Sequence, residues 1–168
     1  VVGLGGLGHM AVKLAHAMGA HTTLFTTSVG KVADGQRLGA DRVVVSKDAA
    51  AMAEVGPEFD LIIDTVAAAH NLDAYLQLLR RDGTLCVVGA PPTPHPSPNT
   101  GLLIFGRRRL AGSLIGGIAE TQAMLDFCGA HGIVSDVERI GPEELDRAYD
   151  RMVASDVKYR FVLDLPQA

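Results

Sequence analysis

Tryptophan is absent from this 168-residue chain, aromatic residues make up only 5%, and there are two cysteines. Cys86, in the apolar run Thr84 to Val88, and Cys128, on a helical pattern, are too few and too far apart for a disulfide framework or a CxxC zinc site. Both read as buried thiols, with a reducing cytoplasm as the default setting. There is no excess of basic charge: the net charge is −4 and the pI about 5.8. That removes the broad positive surface on which nucleic-acid and anionic-membrane binding depend. No stretch reaches the roughly 18 apolar residues of a membrane span, and no charged and apolar leader opens the chain. Only Val1 and Val2 precede the first motif, so the chain reads as cut at its start and an upstream signal stays open.

What is present is a core-forming composition, 48% hydrophobic and 20% charged, that fits one domain plus a remnant. The most informative residues come first, Gly3-Leu4-Gly5-Gly6-Leu7-Gly8. In a GxGxxG turn the first glycine allows the bend, the second lets backbone approach a pyrophosphate, and the third packs helix on strand. The following helix offers its N–H groups and positive dipole end to the phosphates. Ala11, Val12, Leu14, Ala15 and Met18 follow at helical spacing, Gly19 closes the segment, and Thr22 to Thr26 has strand content. Such a βαβ context lifts the motif above a structural glycine turn.

Alternation continues along the chain. Helical patterns cover Lys31 to Leu38, Asp48 to Val55 and His70 to Arg81. Strand patterns cover Arg42 to Val45, Phe59 to Thr65 and Thr84 to Gly89. This order predicts a doubly wound α/β fold, a parallel sheet with right-handed crossovers and helices on both faces. Gly35, inside the second helix, costs about 1 kcal/mol relative to alanine. Five prolines between Pro91 and Pro98 make Ala90 to Thr100 an exposed, stiffened loop. Beyond it, Arg107-Arg108-Arg109, the one basic cluster, reads as a solvated helix end or a phosphate-side charge. A strand follows at Leu110 to Ile115, then a helix at Glu120 to His131 with Met124, Leu125 and Phe127 on its apolar side. A strand at Val137 to Ile140, a helix at Pro142 to Val153 and a strand at Tyr159 to Leu163 complete the pattern. Residues 1–134 are therefore expected to form the dinucleotide domain, and 135–168 a segment returning to a second domain.

An acid is expected about 20 residues past the glycines, to accept from a ribose 2′-OH. It is missing. Thr26, Thr27, Ser28 and Lys31 stand there instead, three hydroxyls and an ammonium, which suit a 2′-phosphate and favour NADP(H). Ser28 also reads as the cap of the next helix, compatible with the same role.

At this point the chain resembles a known family. Gly3 to His9, Thr26-Thr27-Ser28 with Lys31, Leu38 to Asp41, Asp64-Thr65-Val66, His70 and Val88-Gly89-Ala90 recur in order. So do Gly112 to Gly117, Glu120-Thr121 and Asp156 to Phe161. Together they resemble the cofactor half of zinc-dependent medium-chain alcohol dehydrogenases of the cinnamyl-alcohol-dehydrogenase-like branch, especially its bacterial NADPH-dependent aldehyde reductases. The resemblance implies that Leu4 to Leu7 cover the pyrophosphate, and that Thr27, Ser28 and Lys31 hold the 2′-phosphate. Thr65 and Val66 would lie beside the riboses, while Gly89, Ala90, Ser113, Leu114 and Ile115 would hold the nicotinamide through backbone groups. Arg160 would sit near the pyrophosphate. The resemblance also implies a homodimer joined edge to edge through Leu110 to Ile115.

In that family the catalytic zinc ligands, a Gly-His-Glu motif, the structural zinc cysteines and the proton-relay hydroxyl all lie upstream of the glycine turn. The intact enzyme is thus expected to use NADP(H) and zinc to interconvert an aldehyde and a primary alcohol. This chain is expected to bind cofactor without turnover and to hold no stoichiometric zinc. No catalytic or metal-ligating residue is assigned within it. The six histidines, His9, His16, His21, His70, His95 and His131, read as scattered, with His9 at a helix start, His70 fixing a loop and His95 exposed. Two rival readings remain, a zinc-free reductase of activated double bonds and a non-catalytic dinucleotide-binding module.

Overall fold

The computed structural model describes residues 1–165. Helix α1 (Gly8–Ala17) leads to β1 (Thr23–Thr26), and a single 3-10 turn (Val29–Lys31) runs into α2 (Val32–Arg37) and β2 (Arg42–Val45). Then come α3 (Ala49–Ala53), β3 (Phe59–Asp64), α4 (Asp73–Leu76), β4 (Leu79–Val87), α5 (Thr100–Gly106), β5 (Arg109–Gly112) and α6 (Ile118–His131). The chain continues as β6 (Glu138–Ile140), a 3-10 turn (Pro142–Glu144), α7 (Leu145–Val153) and β7 (Phe161–Leu163).

All pairings are parallel. Val2 bridges to Phe25 on one side and Asp64 on the other, so it joins the β1–β2 ladder to the β3–β4–β5 ladder. The order is therefore β2, β1, Val2, β3, β4, β5. The chain winds outward from Val2 to β2, crosses back, and winds outward again to β5. This is the doubly wound arrangement expected from the alternation, and it makes the carboxyl end of the Val2 strand the switch point. Strands β6 and β7 form a separate two-stranded sheet closed by α7.

Consecutive strand residues point to opposite faces, and β1 buries both. Leu24 packs with Leu4, Val12, Leu38 and Tyr159, while Phe25 packs with Ile62, Leu76, Leu79 and Leu85. Local capping sets several boundaries. The Asp48 carboxylate accepts from the N–H groups of Ala50 and Ala51 at 2.9 and 3.1 Å, starting the alanine run of α3. Asn99 Oδ1 accepts from Gly101 N–H at 2.9 Å and starts α5.

Four sequence expectations are corrected. The helix expected over His70 to Arg81 is only α4. Leu79 already pairs with Phe59, Asp82 takes a left-handed φ of 65°, and the backbone runs on as β4 through a register shift. Strands expected to reach Gly89 and Ile115 end at Val87 and Gly112, where ladder pairing stops. Met124 and Leu125 on α6 are 39% and 53% exposed, because little of the described chain lies against that helix. The arginine cluster is no phosphate-side charge. Arg109 opens β5 at its amino end, Arg108 Nε donates to Leu79 O at 2.9 Å, and Arg107 pairs with Asp82 at 3.0 Å. These cations tie the start of β4 to α5, far from the switch point.

Gly35 also acquires a reason. A Cβ there would lie 2.6 Å from Leu24 Cδ2 and 2.9 Å from Val43 Cγ2, so α2 packs on the sheet through a backbone contact. Gly35→Ala gains about 1 kcal/mol of helix propensity but overpacks a fully buried leucine, at a cost of about 1–3 kcal/mol. Urea denaturation is expected to show a net loss of stability; a variant more stable than the parent would refute this packing account.

Candidate functional site

The glycine turn leaves Val2 at the switch point and bends back into α1. Gly3 has φ of 91°, and its amide donates to Phe25 O at 2.9 Å. Beneath the bend, a Cβ on Gly8 would lie 2.0 Å from Gly3 O, a contact no side chain tolerates. Above it, a Cβ on Gly5 would meet nothing within 4 Å, so the middle of the turn faces open space. Two glycines are thus required by close approach, and the third leaves backbone accessible, as a pyrophosphate needs.

The neighbouring strand ends close on this turn. Thr65 Oγ1 donates to Val2 O at 2.8 Å, and a Cβ on Gly3 would touch Val66 and Thr65 at 2.9 and 3.0 Å. Gly89 passes so near Val66 that a Cβ would lie 2.5 Å from its carbonyl. Lys31 Nζ donates to Leu4 O at 3.0 Å, and Arg160 Nη2 donates to Gly6 O at 3.0 Å. Two cations therefore sit on the carbonyls of the turn, each with further N–H donors to spare. Ser113 follows β5 and donates its N–H to Val87 O at 3.1 Å, while Leu114 and Ile115 are 90% exposed beyond it. Ala90 is exposed just past Gly89.

Thr26 requires a correction. It is buried in β1, and its Oγ1 accepts from Ser28 N–H at 3.3 Å. Of the three hydroxyls only Thr27 and Ser28 reach the surface, and the Ser28 side chain makes no cap bond to the 3-10 turn it precedes.

Residues 134–160 hold the turn from the other side. Tyr159 stacks on His9 with ring centroids 4.7 Å apart, and burial, reinforced by the nearby Asp34 carboxylate, pushes its phenol up to about 12. Asp136 pairs with Lys13 on α1 and with Arg37 on α2, and the Lys13 hydrogen bond holds its carboxyl below the ordinary range. None of these cross-links is legible from spacing, since the partners lie about a hundred positions apart in sequence.

Sequence reading also missed a second cluster. Asp64 is fully buried at the end of β3, where one carboxylate oxygen accepts from Val66 N–H at 3.1 Å. Its other oxygen lies 3.0 Å from His70 Nε2, and the His70 and His95 rings are 4.9 Å apart. The histidines expected to be scattered are therefore partly paired, and His95 is half-buried. A cavity of about 350 Å³ between Thr23, Arg42, Phe59 and Arg80 opens at the amino ends of the strands, opposite the ends where such sheets bind ligands.

Residues 6–130 match the family model of zinc-binding dehydrogenases. The chain belongs to this family. It is 59% identical over 164 residues to aldehyde reductase YahK of Escherichia coli, covering 98% of this chain and 47% of that protein. It is similar in fold to a cinnamyl alcohol dehydrogenase from Sorghum bicolor, with a TM-score of 0.93, 47% identity, and 97% and 46% of the two chains covered. A cinnamyl alcohol dehydrogenase from Helicobacter pylori, solved with NADP(H), gives a TM-score of 0.86 at 36% identity, over 97% of this chain and 46% of that one. The chain spans about half the length of the curated relatives it matches. Among the described residues of this zinc-binding dehydrogenase segment, no helix is long and apolar enough to cross a membrane.

His9 gives the site a pH signature. Its Nδ1 faces Gly5 O at 3.0 Å, so the neutral ring donates there and Nε2 is buried without a partner. Burial lowers its pKa against the opposing Gly5 hydrogen bond, and Arg160 and Lys13 lower it further. The folded state thus prefers the neutral ring. That contribution is fully present above the unfolded value of about 6.5 and is lost as pH falls through the folded value. Comparing thermal midpoints of the parent and His9→Asn from pH 7.5 to 5.5, the stability gap is expected to narrow on acidification. A gap constant across that range would show that His9 does not titrate in this way.

Proposed function

We propose that this chain is the NADP(H)-binding part of an oxidoreductase that transfers hydride between NADPH and an aldehyde or primary alcohol. The observation that carries this reading is the switch-point crevice. An accessible glycine turn is flanked by Lys31 and Arg160, and Thr27, Ser28 and Lys31 occupy the place of a ribose-binding acid. The YahK similarity supports the aldehyde or primary-alcohol substrate class. The NADP(H) complex of the Helicobacter protein supports the cofactor.

In this reading the turn Gly3-Leu4-Gly5-Gly6-Leu7-Gly8 lies against the pyrophosphate, Gly3 shaping the bend with its own N–H held by Phe25 O and the later residues presenting backbone N–H groups, with Arg160 alongside. Thr27, Ser28 and Lys31 bind the 2′-phosphate. Thr65 and Val66 line the riboses. Gly89, Ala90, Ser113, Leu114 and Ile115 orient the nicotinamide by backbone contacts, with Gly89 kept free of a side chain by the Val66 carbonyl. The bound cofactor supplies the hydride, and the protein supplies orientation and charge. The catalytic zinc ligands and the Gly-His-Glu motif implied by the family resemblance are not among these residues. Residues 1–134 serve as the dinucleotide domain and 135–168 as a return segment; 166–168 lie outside the described residues.

A homodimer joined at β5 belongs to the same proposal. All four residues of β5 are exposed at the sheet edge, and Leu110, Leu114 and Ile115 give that edge an apolar character without lysine or proline to blunt it. Light scattering on the enzyme carrying this domain is expected to give a dimer that Leu110→Lys dissociates; a dimer indifferent to that change would remove β5 from the interface.

Cofactor choice supplies the direct test of the function. A charge-assisted contact contributes about 1.5–3 kcal/mol, so NADPH should bind roughly 10- to 100-fold more tightly than NADH. Ser28→Asp should reverse that order by placing a carboxylate where the 2′-phosphate would lie. Equal dissociation constants by titration calorimetry would defeat the assignment.

A further inference from the structure

Three buried polar side-chain atoms gather beside the crevice. Asp64 Oδ2, His70 Nε2 and His95 Nε2 are each buried and lack a hydrogen-bond partner. Asp64 is 0% exposed, and its unpartnered oxygen is 3.0 Å from His70 Nε2, out of line for a hydrogen bond. One ligand atom from each of Asp64, His70 and His95 falls within 4.8 Å of the others. An unpaired buried carboxylate and two unpaired buried imidazole nitrogens are each costly, and here three share one small volume.

The backbone sets the tautomer of the His70 ring and permits the same tautomer in the His95 ring. His70 Nδ1 faces Ala68 O at 2.8 Å, and a carbonyl can only accept, so Nδ1 carries the proton of the neutral ring. His95 Nδ1 lies 3.3 Å from both the His70 N–H and the His70 carbonyl, so it accepts from the first in one tautomer and donates to the second in the other. With Nδ1 protonated on each ring, both Nε2 atoms are left bare. Metal-binding histidines commonly donate their other ring N–H to a backbone carbonyl in this way, which fixes the tautomer and leaves the ligating nitrogen bare.

We propose that Asp64, His70 and His95 form a binding site for a divalent cation of the zinc type. Two imidazoles and a carboxylate are the borderline donor set that zinc accepts, with a fourth, open position for water. Zinc ligands at bonds of about 2.1 Å stand about 3.4 Å apart in a tetrahedron. Asp64 and His70, 3.0 Å apart, stand slightly closer than that spacing, and His95, carried on the proline loop, brings its ligand atom within 4.8 Å of both. A bound ion would tie the turn after β3 to the loop after β4, the two segments that carry Val66 and Gly89. The sequence expectation is a chain without stoichiometric zinc, and this proposal departs from it. It stands on the geometry of three side chains and does not depend on the cofactor reading.

The test is zinc titration of the 168-residue chain, with any purification tag removed, followed by calorimetry and by the visible spectrum of the cobalt(II) form. We expect one zinc per chain and the absorption of a four-coordinate cobalt site. His70→Ala and His95→Ala should each weaken binding at least tenfold, while His131→Ala, on α6, should leave it unchanged. Asp64→Asn is the variant that risks the fold, because Asp64 also holds the Val66 amide. His95→Ala, in a half-exposed loop, keeps the test decisive, with circular dichroism confirming its fold. The proposal is overturned if the parent binds no stoichiometric zinc, or if His95→Ala binds it as tightly as the parent. It also fails if nitrogen-detected NMR finds both nitrogens of His70 protonated in the presence of zinc, since the cluster would then share a proton.

Discussion

The backbone of Gly8 lies against the carbonyl of Gly3 with no room for a side chain between them, and the rest of the molecule is arranged around that contact. It fixes where α1 begins relative to Val2, and Val2 is the residue through which the two halves of the sheet are joined. Had the turn been wider, Thr65 Oγ1 could not reach Val2 O, and the end of β3 would lose its link to the turn. The same closeness aims the amino end of α1 at the space above Gly5. Local backbone geometry, sheet topology and a phosphate-sized opening therefore follow from one steric constraint.

That constraint is supported from a distance. Asp136 bridges α1 and α2 through Lys13 and Arg37, Lys158 pairs with Asp34 at 2.8 Å, and Tyr159 covers His9. Ion pairs that keep one or both partners in contact with water contribute little individually. The stacked, buried Tyr159–His9 pair contributes more, because it removes two rings from water and seals the carbonyl side of the glycine turn. Residues near 136 and 159 thus complete the wall of a site whose floor is built from the first eight residues.

Much of this was legible in the sequence. Period-two and period-3.6 patterns placed β1, β2, β3 and α1, and the glycine spacing named the turn. What failed did so for identifiable reasons. The run from Leu72 to Leu79 has helical spacing, yet pairing of Leu79 with Phe59 captured its second half for the sheet, a tertiary effect that outweighs propensity. Gly35 read as a weak point in a helix when it is a packing requirement, because only the fold brings Leu24 and Val43 beneath it. Thr26 read as a ligand hydroxyl because the sequence does not say which face of a strand end is buried. His70 and His95 read as unrelated because twenty-five positions, including a whole strand, separate them. Contacts made at the ends of different strands carry no local signature.

Burial is also unevenly distributed. Leu24, Phe25, Ile62, Leu76 and Leu85 are closed on all sides, whereas every residue from Arg109 to Asp126 is exposed. The exposed run is not polar: Leu114, Ile115 and Ile118 are each 90% or more exposed. Contiguous exposed apolar surface of this kind marks surface that is normally covered. β5 keeps its register because Ser113 N–H and the ladder to β4 hold it from one side only, leaving a full row of outward N–H and C=O groups. A strand edge and an apolar shoulder on the same flank satisfy their requirements together when a matching edge pairs with the strand and brings its own shoulder over the apolar residues. The nicotinamide-side residues proposed at Ser113 to Ile115 lie at the end of that strand, so completing the edge and ordering that end of the cofactor site are linked through the same four-residue ladder.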